Sequence, residues 1–149
     1  MNIATILARK GMDVFTARPE ASLRDALASL ARHNVGALVV VDQSGRPIGI
    51  LSERDIVREA ARNERFFAAT VAGIMTRDMI VAGPQDDLIS VGNTMTEKRI
   101  RHLPVVDAGK LVGIVSIGDV LKAQRDQYQG EVDTLQIQLL EEPGSTATL

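Results

Sequence analysis

The sequence predicts an α/β (α+β) fold in which two β-α-β-β-α repeats pack about a pseudo-twofold axis, followed by a C-terminal helix. Three observations predict it. One stretch of the chain occurs twice, each copy alternates strand and helix periodicity in the same order, and a lone copy would leave an apolar sheet face uncovered.

The duplication sets the frame. Val35-Gly36-Ala37-Leu38-Val39-Val40-Val41-Asp42 lies over Ile100-Arg101-His102-Leu103-Pro104-Val105-Val106-Asp107 at an offset of 65. Gly49-Ile50-Leu51-Ser52-Glu53-Arg54-Asp55 lies over Gly113-Ile114-Val115-Ser116-Ile117-Gly118-Asp119 at an offset of 64. The lost residue falls where Gln43-Ser44-Gly45-Arg46-Pro47 is answered by the shorter Ala108-Gly109-Lys110-Leu111, a turn that tolerates deletion. Upstream, Pro19 and Leu23 match Pro84 and Leu88, again 65 apart.

The elements follow in order. Val14 to Thr16 reads as a short strand, and Ser22 as the N-cap of a helix carrying Leu23, Ala26, Leu27 and Leu30 at helical spacing. Leu38 to Val41 is an apolar run bounded by turn residues, as expected of a strand covered on both faces. Ile48 to Leu51 is a second such strand, pairing with the first as a hairpin. Ser52 opens another helix, and the second copy repeats the order from Met79 to Lys122. The expected units are 6–62 and 74–122, joined by a linker over 63–73.

Beyond them, Leu121, Tyr128, Val132, Leu135 and Leu139 follow alternating three- and four-residue steps, with Arg125 holding one seam position. The segment 123–142 is therefore expected as a helix able to pair with a second chain, and the tail 143–149 as disordered.

Composition narrows the function classes. A hydrophobic content of 45% over 149 residues supports a packed core, and 3% aromatic residues leave little surface for stacking bases. A formal charge of -2 with interspersed signs gives no electrostatic case for nucleic acid. With no cysteine, no cleavable leader in Met1–Lys10 and no run near the roughly 18–20 apolar residues of a membrane span, a cytoplasmic protein is expected.

Ser52 and Asp55, like Ser116 and Asp119, stand three apart at a strand-to-helix junction. One interpretation is a capping box; the other is that hydroxyl and carboxylate also face a cleft and hold the vicinal hydroxyls of a ribose. Arg101 and His102 stand at the mouth of an apolar strand where the first copy has Gly36 and Ala37, and Arg99 extends the positive patch. A charge there needs solvent or an anion, and guanidinium suits phosphate oxygens. His33 is read as a charge at a helix C-terminus. Two distant histidines without cysteines make a poor zinc site, and no Walker loop, nucleophile elbow or dinucleotide fingerprint is present, so no catalytic cofactor and no enzyme activity are expected.

On these two stretches the chain resembles tandem cystathionine β-synthase (CBS) domain pairs, or Bateman modules, of the short stand-alone bacterial type. The resemblance implies clefts that bind adenine nucleotides such as AMP, ADP, ATP, NAD(H) or S-adenosylmethionine to regulate a partner protein. It implies ribose contacts at Ser52, Asp55, Ser116 and Asp119, phosphate contacts at Arg101 and His102 near Arg99, and adenine near Thr16 and Ala37 in one copy and Val81 and Leu103 in the other, with Gly36 and Pro104 also among the nucleotide-binding residues. Gly36 and Ala37 depart from the basic pattern, leaving Arg54 or a basic residue from the other copy as the first copy's phosphate candidate. The resemblance also implies a homodimer, while a structural scaffold whose Ser-x-x-Asp segments are only caps remains the alternative.

Overall fold

The computed structural model describes residues 1–141. The expected disordered tail 143–149 and the last residue of the expected C-terminal helix lie outside the described residues.

The first copy contains β1 (Thr16–Ala17), α2 (Leu23–His33), β2 (Ala37–Val41), β3 (Pro47–Ser52) and α3 (Glu53–Arg62), preceded by α1 (Ile3–Lys10). Ser22 caps α2 by accepting from the Asp25 amide at 3.1 Å, and Leu23, Ala26 and Leu30 are its buried stripe. The apolar strand β2 is buried along its whole length; it pairs in parallel with β1 and antiparallel with β3.

The second copy follows a 3₁₀ turn (Phe66–Ala68) and α4 (Val71–Ile74), with α5 (Leu88–Lys98), β4 (His102–Asp107), β5 (Lys110–Ser116) and α6 (Ile117–Glu141). It repeats the first in detail. Asn34 and Arg99 end α2 and α5 in the left-handed conformation, at φ 51° and 55°. The hairpins slip register between Val40 and Val41 and between Val105 and Val106.

The expected first strand of the second copy shrinks to a single parallel bridge from Ala82 to Val105. Pro84 lacks an N–H, and the Gly83 amide is drawn onto Asp86 Oδ2 at 2.8 Å, so the chain turns at once instead of extending the ladder.

The leading helices cross over. Ile3, Ile6 and Leu7 of α1 lie in the core of the second copy with Leu88, Met95, Leu103, Val105, Val115 and Val120. Val71 of α4 and the following Met75 lie in the core of the first copy with Leu23, Leu38, Val40, Leu51 and Ile56. The stretch 63–73 thus carries a 3₁₀ turn and the start of a helix packed on the preceding copy. Matching bridges pin the crossings, Asn2 to Asp87 and Ser22 to Thr70, and Asn2 and Thr70 are themselves the N-caps of α1 and α4.

Alternation along β2 shows what covers each face. Leu38 and Val40 point into the copy's own helices, so Val39, also fully buried, lies on the opposite face. Just before the strand, His102 of the second copy reaches across to Gly36. At the other end, the last helix of the second copy and the expected C-terminal helix form one continuous element, α6, about 37 Å long at 1.5 Å per residue. Only Val120 and Ala123 of α6 are fully buried, and Leu121, Tyr128, Leu135 and Leu139 are exposed.

Candidate functional site

The two Ser-x-x-Asp segments open α3 and α6, where the chain leaves a central hairpin. In the first copy, Asp55 Oδ2 accepts from the Ser52 amide at 2.9 Å and from its hydroxyl at 3.0 Å, while Ser52 Oγ accepts from the Asp55 amide at 3.3 Å. In the second, Asp119 Oδ2 accepts from the Ser116 amide at 2.8 Å and Ser116 Oγ from the Asp119 amide at 3.1 Å. Both are reciprocal capping boxes that fix the rotamer of each acid. Each cap uses only Oδ2, and Oδ1 of Asp55 and of Asp119 accepts no hydrogen bond among the described residues.

The sites differ in what surrounds the acid. Lys10, at the end of α1, donates to Asp119 Oδ2 at 2.7 Å and to the Ile114 carbonyl at 2.9 Å. Burial pushes the Asp119 carboxyl up, but the hydrogen bonds from Lys10 and Ser116 and the ammonium charge outweigh it, leaving the group below its ordinary value.

His102 stands directly opposite Ser116 in the β4–β5 ladder, so the two side chains share one face, as Ala37 and Ser52 do in the first copy. Its ring is half-buried. Burial lowers its pKa, with the charges of Lys10 and Arg101 adding to the effect and Glu53 and Asp119 opposing it. The imidazole is therefore largely uncharged near neutral pH, and Arg101, exposed beside it, carries the permanent positive charge. The Arg101 carbonyl accepts from the Ile117 amide at 2.8 Å, just as Gly36 accepts from Glu53 at 3.0 Å.

The residues singled out from sequence fall into two groups. Gly36, Ala37, Arg101, His102, Ser116 and Asp119 gather where the hairpins of the two copies meet. Ser52 stands opposite Ala37 in the β2–β3 ladder, so it and Asp55 border the same meeting region from the first copy with Arg54 exposed beside them, and Thr16 pairs with Val39 on the neighbouring strand. Val81 and Leu103 line a separate cavity of about 370 Å³ with Ile80, Ala82 and Thr94. Leu103 otherwise belongs to the helix-facing core, one face away from His102, and Pro104 is buried on the His102 face. Arg99 ends α5 in the exposed left-handed position that Asn34 takes in the first copy. His33 does sit in the last turn of α2, and its ring also stacks on Phe15 with centroids 3.7 Å apart.

Lys10 and Glu53 enter the site without having been singled out. For Lys10 a signal existed: Asn2, Ile3 and Leu7 align with Thr70, Val71 and Met75 at an offset of 68, which extends the repeat upstream and brings α1 into it.

Among the described residues no cluster of His, Asp and Glu could hold a metal ion, and no helix is long and apolar enough to cross a membrane.

The family model described as CBS domain matches residues 5–62 and again 71–126. The CBS domain-containing protein CBSX3, mitochondrial, of Arabidopsis thaliana is 38% identical over 116 residues, covering 74% of this chain but only 56% of the plant protein's length. Among solved structures, the CBS-domain containing protein ATU1752 from Agrobacterium tumefaciens is 37% identical, with a TM-score of 0.79 over 83% of this chain and 99% of that one. The CBS domain pair of protein MJ0100, in complex with 5′-methylthioadenosine and S-adenosyl-L-methionine, is 30% identical, with a TM-score of 0.77 over 85% of this chain and 98% of that one. The CBS domain protein PAE2072 from Pyrobaculum aerophilum, complexed with AMP, is 28% identical, with a TM-score of 0.72 over 80% and 89% of the two chains.

Proposed function

The chain belongs to the CBS domain family as a tandem pair, and on that premise we propose that it is a non-catalytic regulatory module whose clefts bind an adenine nucleotide and thereby alter a partner protein. Similar pairs hold AMP in one case and S-adenosylmethionine with 5′-methylthioadenosine in another, which supports an adenosine-containing ligand here.

The observation that carries the proposal is the division of labour on each carboxylate. A carboxylate offers about four lone-pair sites, and the caps occupy only one oxygen of Asp55 and of Asp119. The other oxygen is held in a fixed orientation by the cap and is left for a ribose hydroxyl. In the second copy Arg101 and Arg99 are exposed for phosphate, and neutral His102 adds a ring N–H; in the first copy Arg54 is the cation at hand. The second-copy cleft, with Ser116 and Asp119, is therefore the primary site. A ligand alters a partner only if its affinity differs between two arrangements of the copies.

Isothermal titration with AMP, ATP and NADH tests the proposal and ranks the three; no heat at millimolar concentration with any of them overturns it. The closed capping boxes also fit a dimeric scaffold without a ligand. Asp119→Ala separates the two: a cap alone costs about 1 kcal/mol of stability, whereas a ligand site also loses nucleotide-induced stabilisation, which follows mass action.

A further inference from the structure

Lys10 holds the acid that a ribose would need. Its ammonium lies on Asp119 Oδ2 and the Ile114 carbonyl, beside a cavity of about 120 Å³ that Arg9 and Lys122 also line. A ribose whose two vicinal hydroxyls engage both oxygens of the carboxylate, the free Oδ1 and Oδ2, has to displace the Lys10 ammonium from Oδ2. No other acid lining that cavity is free to receive the displaced ammonium. Asp126, the other acid lining the cavity, is engaged by Arg9 at 3.8 Å and Arg125 at 3.6 Å, and the remaining charged neighbours on the wall are cations.

Resting on the nucleotide function proposed above, we propose that Lys10 selects the ligand of the second-copy cleft: it releases Asp119 only to a nucleoside that brings an anionic group to take up the freed ammonium. The cleft then takes nucleoside phosphates over neutral nucleosides or those bearing a sulfonium. Lys10 is well suited to such an exchange. It stands at the C-terminal end of α1 on a flexible stem and is about one-third exposed, so the ammonium can swing while the helix stays seated.

The test is titration calorimetry of the full chain with AMP, adenosine and S-adenosylmethionine, for the wild type, Lys10→Met and Lys10→Arg. The wild type should prefer AMP to adenosine by about tenfold or more, the scale of one charge-assisted hydrogen bond. Lys10→Met should lose several-fold of that preference, chiefly through tighter adenosine binding once no ammonium has to leave Asp119, and Lys10→Arg should keep it. Added salt should narrow the ratio in the wild type without any substitution. An unchanged or larger ratio in Lys10→Met overturns the proposal and leaves the nucleotide function standing. If wild type and variant both bind none of the three ligands, the underlying function fails and this proposal with it.

Discussion

The imidazole of His102 lies over Gly36 of the other copy, with Cε1 and Nε2 each 3.1 Å from where a β-carbon on that glycine would stand and Glu53 Oε1 3.4 Å from the same point. The inequality between the copies is thus a fitted pair, in which the small residue of the first makes room for the large residue of the second. Gly36→Ala should force the ring to shift by a few tenths of an ångström and cost about 1 kcal/mol, at the low end for overpacking. Chemical denaturation of both single variants and of Gly36→Ala with His102→Ala closes a double-mutant cycle; a coupling near zero would show that the contact is slack.

The same ring makes stability depend on pH. Its folded pKa lies below the ordinary 6.5, so the unfolded chain binds the proton more readily. The neutral ring's contribution is fully present above pH 6.5 and is lost as pH falls through the folded value. Melting temperatures measured from pH 7.5 to 5 should fall more for the wild type than for His102→Asn, which has nothing to protonate there. Parallel curves for the two proteins contradict the assignment.

Gly49 and Gly113 each admit the crossing segment of the other copy, but with different tolerance. A β-carbon on Gly49 would stand 2.7 Å from Met75 Sδ and 3.0 Å from the Thr76 carbonyl, whereas one on Gly113 would meet only the Leu7 side chain, at 2.7 Å. Backbone cannot yield as a leucine methyl can. Gly49→Ala should therefore cost about 1–3 kcal/mol, and more than Gly113→Ala, in urea denaturation. The reverse order would mean that α1 is seated more rigidly than Met75-Thr76.

The exposed seam of α6, Leu121, Tyr128, Leu135 and Leu139, predicts self-association. Light scattering should give a dimer for the wild type and a monomer for Leu135→Glu. Since Leu135 is 59% exposed, the substitution should leave the melting temperature of the isolated chain nearly unchanged. A dimer unaffected by Leu135→Glu would move the interface elsewhere.

Much of this architecture was legible because its determinants are local. Ser22 announces its cap, the run Leu38–Val41 its buried strand, and the repeated Ser-x-x-Asp its helix starts. What escaped was set by distant partners. The role of α1 is defined by Gly113 and Asp119, more than a hundred residues away, and its eight residues carry too short a period to stand out. Lys10 lies 109 residues from Asp119, and only the fold brings the two together. The first strand of the second copy resembled its counterpart in sequence but lost the competition to the turn at Gly83-Pro84. The split at residue 122 missed that α6 continues, because nothing after Ala123 has a core partner to mark the change.

The crossing of α1 and α4 fixes the stoichiometry of folding. A chain holding one copy and its own leading helix would carry a plug without its socket and a socket without its plug. Two such chains could satisfy each other only by exchange, so the half-molecule is a reciprocal dimer by construction. Joining both copies in one polypeptide turns that concentration-dependent association into an intramolecular event. Closing the two copies on each other should therefore add no concentration dependence to stability, and any such dependence comes from association through α6.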